Sequence, residues 1–148
     1  MNMSKPMTGG CPCGAVRYKI DSNPLLSFLC HCRQCQQATG SPSTALMIFS
    51  EAGVRITGDV RSYETTADSG NTVERAFCPS CGGRLFGRSS GYPENISITV
   101  CSLDDPASIE PEIAIFTESA PSWDRPREDL PNFPTMPPDP GDRLKPDA

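Results

Sequence analysis

Seven of the eight cysteines in this chain fall into three tight groups, and this grouping constrains the fold more than any other feature. Cys11 and Cys13 stand in C-P-C-G, and Cys78 and Cys81 stand in C-P-S-C-G-G. A triplet occupies residues 30–35 as C-H-C-R-Q-C. A cysteine pair followed by glycine is typical of a tight turn that directs both sulfurs to one point. The fold must therefore bring several thiols together at each of these points.

The start of the chain indicates the redox environment of these thiols. MNMSKPMTGG contains no apolar stretch of the kind found in signal peptides, and no apolar run approaches the roughly 18 residues of a membrane span. We therefore expect a cytoplasmic protein without a membrane partner. Because cytosolic thiols are kept reduced, the cysteines are expected to bind metal rather than to form disulfides.

The two cysteine pairs predict a closed metal site. Either pair alone would leave a tetrahedral zinc half coordinated, so each pair needs the other. Cys11, Cys13, Cys78 and Cys81 together supply four sulfurs. A zinc with four protein ligands has no room for a substrate, so this site is expected to be structural.

The triplet then has three ligands, Cys30, Cys32 and Cys35, for a second zinc. Three protein ligands and one open position are typical of catalytic zinc. Zinc lowers the pKa of a group bound at the open position, and a thiol in water has a pKa of about 8.5. The triplet is therefore suited to bind a thiol substrate as its thiolate, and we expect its three cysteines to be catalytic.

Two residues offer an alternative in which the second site is closed. His31 or Cys101 would be the fourth ligand, although His31 between two ligands is more typical of a hydrogen-bond donor beside a metal. Cys101 is expected to be a small packing residue on the side of its strand that carries Ser97 and Thr99.

The hydrophobic pattern predicts a mainly β protein. Short segments alternate with period two and are separated by Gly, Pro, Asn and Asp, as in antiparallel strands joined by turns. One apolar run, STALMIF, indicates a strand covered on both faces. Helical turns are expected only after the triplet, in 33–40. The expected strands lie within 14–21, 43–49, 53–58, 71–77, 94–100 and 112–119.

The C-terminal part differs in composition. Half of the 16 prolines lie in residues 121–148, where a packed sheet is improbable because proline cannot donate to a ladder. This segment is either a solvated tail or a segment whose first part lies across the domain through Trp123, Leu130 and Phe133. We expect a leader at 1–7, one zinc-binding domain at 8–123, and a proline-rich acidic tail at 124–148. The formal charge of −5 argues against a nucleic-acid partner.

The motifs G-G-C-P-C-G-A-V-R-Y, C-H-C-R-Q-C-Q-Q-A-T-G, F-C-P-S-C-G-G-R-L-F and S-L-D-D-P resemble the glutathione-dependent formaldehyde-activating enzyme family, which includes centromere protein V. The resemblance covers residues 8–123 and implies a β-rich zinc fold of the Mss-four-like type. It also implies two zincs per chain, with the same division of ligands as above.

The resemblance implies a carbon–sulfur lyase that joins glutathione to formaldehyde and gives S-(hydroxymethyl)glutathione. An anionic thiol substrate requires cations, and Arg33, Arg84 and Arg88 are the candidates for binding it. Two other functions remain open: a non-catalytic interaction domain with both zincs fully coordinated, and a methionine sulfoxide reductase that would use Cys101. The expected partners are a glutathione-like thiol and an aldehyde, and a homo-oligomer is possible.

Overall fold

The computed structural model describes residues 5–137 and Leu144, and it contains two β-sheets. A three-stranded sheet has the order β1-β2-β5, and a seven-stranded sheet has the order β10-β3-β4-β9-β8-β7-β6. One helix, α1, follows β3. The elements are β1 (Met7–Gly10), β2 (Arg17–Ile20), β3 (Leu26–Cys30), α1 (Arg33–Thr39), β4 (Thr44–Ser50), β5 (Val54–Thr57), β6 (Arg61–Thr66), β7 (Thr72–Phe77), β8 (Arg84–Ser89), β9 (Asn95–Thr99) and β10 (Ile113–Ile115).

The alternating sequences form strands because one face of each is buried. In β2, Tyr18 and Ile20 are buried while Arg17 and Lys19 are exposed. β4, which is apolar from Ala45 to Phe49, lies inside the large sheet between β3 and β9. Its Met47 and Phe49 are fully buried on one side, and its Leu46 packs on the other. The prediction of a mainly β protein is confirmed.

The two faces of the large sheet support two hydrophobic clusters. The larger cluster fills the space between the two sheets and includes Met47, Phe49, Leu85 and Ile98. The smaller cluster lies on the opposite face, which we call the cysteine face because Cys30 and Cys35 belong to this cluster. Phe28, Leu46 and Leu144 also pack there.

The last strand joins the sheet in an arrangement that the turn pattern did not predict. β10 pairs with β3 in parallel, with Ile115 opposite Cys30. All other strand pairs in both sheets of the described chain are antiparallel. The parallel pair requires a long crossover, which strands β4 to β9 provide.

The large sheet is curled around the cysteine face. β3 and β6 are five positions apart in the sheet, or about 24 Å on a flat sheet with 4.8 Å spacing. Nevertheless Gln34 in α1, just after β3, donates from Nε2 to the carbonyl of Thr66 in β6 at 3.0 Å. The seven-residue helix cannot span the flat distance, so the sheet bends until β6 lies beside α1.

Four strands were absent from the sequence expectations: β1, β3, β6 and β8. β1 contains two glycines, β6 is almost wholly exposed, and β3 runs directly into the cysteine triplet. β8 follows the second cysteine pair and contains a glycine, Gly87. Each of these sequences lacks the clear alternation that marks a strand buried on one face.

The expectation for Cys101 was wrong, and Trp123 does not have the position that one of the two alternatives for the C-terminal segment gave it. Cys101 is exposed and lies in a short 3₁₀ turn, Val100–Ser102, so it is not a packing residue of the preceding strand. The strand ends at Thr99, and the chain turns before the alternation reaches Cys101. Trp123 is 77% exposed, so it does not fasten the tail to the domain.

Other tail residues do contact the domain. Phe133 packs against the smaller cluster, and its amide donates to the carbonyl of Ala114 in β10 at 2.9 Å. The amide of Ala114 in turn donates to the carbonyl of Pro131. The division of the chain into 1–7, 8–123 and 124–148 stays a prediction, and much of its last part lies outside the described residues. Within residues 5–137, no helix has both the length and the apolar character that crossing a bilayer demands.

Candidate metal centres

The structure brings the two cysteine pairs together. The sulfurs of Cys11, Cys13, Cys78 and Cys81 all lie within 4.8 Å of one another. The Sγ atoms of Cys11 and Cys13 are 3.5 Å apart, and those of Cys13 and Cys78 are 3.7 Å apart. A disulfide would hold two sulfurs about 2.05 Å apart, so these are free thiols.

Backbone turns hold these sulfurs in place. Gly14 and Gly82, with φ of 79° and 75°, adopt the left-handed conformation that each turn requires. The amide of Val16 donates to the sulfur of Cys11 at 3.3 Å, and the amide of Gly83 donates to the sulfur of Cys81 at 3.4 Å. The bond from Val16 is the main reason that the pKa of Cys11 falls from its ordinary value to about 6. The backbone thus stabilises thiolates, the form that binds metal.

The four-cysteine cluster fits a tetrahedral zinc. Zinc–sulfur bonds of about 2.3 Å at tetrahedral angles separate the sulfurs by about 3.8 Å. The Sγ–Sγ separations of 3.5 Å between Cys11 and Cys13 and 3.7 Å between Cys13 and Cys78 come close to that value. The donor set, four thiols with amide N–H groups directed at three of them, is typical of structural zinc sites.

The triplet lies where β3 passes into α1. Cys30 is the last residue of β3, Cys32 caps the helix, and Cys35 is in its first turn. The amide of Cys35 donates to the sulfur of Cys32 at 3.3 Å, so this thiol serves as the N-cap acceptor. The three sulfurs lie within 4.8 Å of one another, and Cys30 and Cys35 are buried. A strand end and a helix start therefore supply three converging ligands.

The thiols of the triplet differ in pKa. Hydrogen bonds from the thiols of Cys30 and Cys35 lower the pKa of Cys32, and the positive charge of Arg75 lowers it further. The hydrogen bond with Cys32, together with burial, raises the pKa of Cys30. Three neighbouring thiolates repel one another, so a cation is needed to ionise all three. A divalent metal would meet that need.

Among the described residues, nothing completes the triplet to four ligands. Cys101 is exposed in its 3₁₀ turn and does not belong to the group of converging sulfurs. His31 is 3% exposed, and its ring is also outside that group. Neither of its ring nitrogens has a hydrogen-bond partner within the described chain, and burial lowers its pKa, so the ring is neutral at pH 7.

The three predicted cations occupy different environments. Arg33 is exposed and donates to Oε1 of Gln36 at 2.6 Å. Arg88 pairs with Glu51 and Glu74, and its guanidinium lies 4.9 Å from the centre of the Phe86 ring. Arg84 is half-buried, and its Nε and Nη1 atoms are buried without a partner within the described residues. Of the three arginines, Arg84 is therefore the one whose buried N–H groups are available to a bound anion.

Sequence reasoning missed Arg75. This arginine is 7% exposed, and its Nη1 donates to Oγ1 of Thr65 at 2.8 Å. A signal was available, because Val73, Arg75 and Phe77 share one face of β7, so that an arginine takes the central place in an otherwise apolar stripe. An arginine at an apolar position is seldom buried without a reason.

A cavity of about 140 Å³ opens on the cysteine face, and none of the triplet cysteines lines it. Phe28, which lines it, precedes Cys30 by two residues on the same side of β3. Leu144 occupies it from the C-terminal part, and Nδ2 of Asn95 donates to the carbonyl of Leu144. The remaining lining comes from β4, β7, β8 and β9 and from Tyr92, and its exposed surface is mainly apolar.

Two thiol clusters, one with four sulfurs and one with three, define a mainly β protein with two sites that could each hold a metal ion. Residues 6–119 match the family model of the glutathione-dependent formaldehyde-activating enzymes. This match spans all seven clustered cysteines, and the chain belongs to that family.

Individual relatives are distant. A Halomonas elongata protein with the provisional name of glutathione-dependent formaldehyde-activating enzyme is 25% identical over 123 residues, 79% of this chain and 78% of its own. A Schizosaccharomyces pombe protein described as an uncharacterized lyase is 34% identical over 79 residues, 53% of this chain and 54% of its own. A Rhodobacter sphaeroides protein of known crystal structure has a TM-score of 0.54 at 20% identity, covering 69% of this chain and 94% of that one. This last likeness concerns the fold alone.

Proposed function

We propose that the protein is a zinc-dependent carbon–sulfur lyase of the formaldehyde-activating type, which joins a glutathione-like thiol to formaldehyde. The single observation that carries the proposal is the contrast between two clusters in one chain, four converging sulfurs in one and three in the other. Membership of the family supplies the reaction type.

In the reaction, the sulfur of the thiol forms a bond to the carbonyl carbon of formaldehyde. The electron pair of the C=O bond moves to the oxygen, which takes up the proton that the thiol has lost, so the product is an S-hydroxymethyl thioether. A zinc held at the triplet supplies a Lewis acid that favours the thiolate form of the incoming thiol.

The residues of the chain prepare this site in three ways. Cys30, Cys32 and Cys35 would hold the metal while leaving one position free. The N-cap bond from the amide of Cys35 fixes the sulfur of Cys32, and burial of Cys30 keeps bulk water from one side of the site. The neutral His31 is too far from the sulfurs to close the site within the described structure.

The competing function is a zinc-stabilised interaction domain with no open position. Another is a methionine sulfoxide reductase, for which the exposed Cys101 would be the reactive thiol. No converging group of the described residues includes Cys101. An interaction domain with closed sites would bind no thiol at the triplet. A methionine sulfoxide reductase would lose its activity when Cys101 is replaced.

Cobalt substitution tests the proposal directly. Glutathione should intensify the thiolate-to-cobalt absorption band, because it adds a fourth sulfur, whereas S-methylglutathione, which has no thiol proton to lose, should leave the band unchanged. The zinc form should consume formaldehyde faster with glutathione than glutathione does alone. Cys35→Ser should abolish that difference, and Cys101→Ser should not alter it.

Two results would contradict the proposal. One is a cobalt spectrum that does not respond to glutathione at millimolar concentration. The other is a formaldehyde-consuming activity that survives Cys35→Ser but is lost in Cys101→Ser.

A further inference from the structure

Two arginines lie on the cysteine face without a carboxylate to neutralise them. Within the described chain, Arg17, Arg88 and Arg127 form the ion pairs, and Arg75 and Arg84 form none. Arg75 is buried, and so are the Nε and Nη1 atoms of the half-buried Arg84. Burying a guanidinium without a carboxylate is costly, so we expect both charges to have a function.

The strand register places both arginines on the same side of the sheet as the triplet. Across the sheet, Ile48 is opposite Ser97, Ser97 is opposite Gly87, and Gly87 is opposite Arg75. Ile48 belongs to the cluster that contains Cys30, so this row lies on the cysteine face. The strands pack closely at Gly87, where a Cβ would lie 2.8 Å from the carbonyl oxygen of Glu74.

A β-bulge places Arg84 on this face. The register of β7 and β8 shifts between Ala76 and Phe77, so that Phe86 is opposite Ala76 but Arg84 is opposite Phe77. With regular pairing, Arg84 would share the side of Phe86, which is in the core between the sheets. The shift turns Arg84 to the other side, where Phe77 and Arg75 lie; bulges commonly redirect a side chain in this way beside active sites.

The two guanidiniums are close to each other and to the triplet. Oγ1 of Thr65 accepts from Nη1 of Arg75 at 2.8 Å and lies 3.5 Å from Oε1 of Gln34, the residue before Cys35. Arg84 is opposite Phe77, which is two residues along β7 from Arg75. The charge of Arg75 acts on Cys32. Thr65 takes one N–H group of Arg75, while Nε and Nη1 of Arg84 have no acceptor in the described chain. An incoming anion would find these donors already oriented.

We infer that Arg75 and Arg84 form a carboxylate subsite beside the three-cysteine centre, and that the protein selects thiols that carry a carboxylate. The inference rests on the proposed function, because it assumes that a thiol binds at the triplet. Guanidinium groups bind carboxylates through charge-assisted hydrogen bonds that a hydroxyl cannot match. Arg75 was not among the cations expected from the sequence.

The test compares two small thiols, 3-mercaptopropionate and 2-mercaptoethanol, on the cobalt-substituted protein. Both can present a sulfur to the metal, but only the first has a carboxylate. The wild type should bind 3-mercaptopropionate about tenfold more tightly, as measured by titration of the thiolate-to-cobalt band. Arg84→Gln and Arg75→Gln should reduce this preference to about twofold or less, because they weaken the binding of 3-mercaptopropionate much more than that of 2-mercaptoethanol.

Matched variants separate recognition from general charge. Arg55→Gln removes the same charge from an exposed position on β5 and should keep the preference. Arg84→Lys should retain part of it, because lysine keeps the charge but not the planar fork. If Arg75→Gln does not fold, Arg84→Gln and Arg84→Lys still test whether the carboxylate is recognised.

Three results would overturn the inference. Equal affinity of the wild type for both thiols would show that no carboxylate is recognised. An equal loss of affinity for both thiols in Arg84→Gln would show that the arginines only offset the charge of the sulfurs. A wild-type spectrum that responds to neither thiol would refute the proposed function as well, and that distinguishes the two failures.

Discussion

At the scale of single residues, Cys32 combines two roles that a serine would separate. Its sulfur is a candidate metal ligand and also the N-cap acceptor of α1. Serine is among the best N-cap residues but is a poor zinc ligand. Cys32→Ser should therefore remove a metal ligand while keeping the N-cap of α1.

We predict that Cys32→Ser folds and binds one zinc per chain, where the wild type binds two. The thermal midpoint should change by only a few degrees, because the four-cysteine site is intact. Metal analysis after gel filtration and calorimetry provide the measurements, with Cys101→Ser as the matched control. Loss of both zincs in Cys32→Ser would show that the two centres are not independent.

Tyr18 provides a pH-dependent contribution to stability. Its side chain is buried between the sheets, and burial raises its pKa from 10.0 to about 12, while its hydroxyl lies 2.6 Å from Oγ of Ser102. Because the folded pKa is the higher one, the stabilisation is complete below pH 10 and is lost as the pH rises towards 12. A shift of about two pKa units corresponds to about 3 kcal/mol.

Tyr18→Phe should therefore be less stable than the wild type at pH 8, by about 1 kcal/mol for the lost hydrogen bond. Between pH 10 and 12 the difference should shrink and then reverse, since phenylalanine cannot ionise. Urea unfolding at pH 8, 10 and 11.5 checks this. A difference that is the same at all three pH values would mean that Tyr18 titrates normally.

At the scale of elements, the turn between β7 and β8 must approach the turn after β1 closely. A methyl group on Gly83 would lie 2.5 Å from Cδ of Pro12 and 3.3 Å from the sulfur of Cys81. Pro12 is rigid, so the added atom would push the two cysteine turns apart.

We predict that Gly83→Ala lowers the free energy of unfolding by about 1–3 kcal/mol, the usual cost of overpacking. It should also accelerate the release of the structural zinc to a chelator, and leave the rate at the triplet unchanged. Ser80→Ala, an exposed change in the same turn, is the control. Equal release rates in Gly83→Ala and the wild type would contradict the proposed contact.

The elements also show how far the sequence could predict this structure. Alternating strands such as β2 and β9 were predictable, because one buried face leaves a period of two. β6 was not, since it is an exposed edge strand whose place is set by pairing with β7. The grouping of the seven cysteines followed from their spacing alone.

The position of Arg84 could not follow from spacing. It depends on a bulge, and a shift of one residue in register changes the face on which every later side chain lies. Arg75 could have been suspected from its apolar neighbours in β7, but its proximity to the triplet depends on the curl of the sheet. Long-range register and curvature are properties of the assembled sheet.

At the scale of the whole molecule, the four-cysteine site joins the small sheet to the large one. Cys11 and Cys13 follow β1, and Cys78 and Cys81 follow β7, so a zinc there would connect strands of both sheets. Structural zinc contributes roughly 10–16 kcal/mol in small domains, whereas whole domains are stable by about 5–15 kcal/mol.

We predict that the double variant Cys11→Ser, Cys78→Ser loses its cooperative unfolding transition. Its heat-capacity peak should disappear, while Cys101→Ser keeps the wild-type profile. In the wild type, mild chelation should remove about one zinc quickly and the second only on unfolding. A double variant with a sharp transition and full zinc content would show that this site is dispensable.

The 65 residues between Cys13 and Cys78 also govern the order in which the centres can form during translation. A ribosome adds about 5–20 residues per second, so roughly 3–13 s separate the synthesis of the two halves of the four-cysteine site. The triplet, by contrast, is synthesised within about a second. Zinc can therefore reach the nascent triplet first, while Cys11 and Cys13 wait as unprotected thiols. An oxidant that acts in that interval would block the structural centre before the domain is complete.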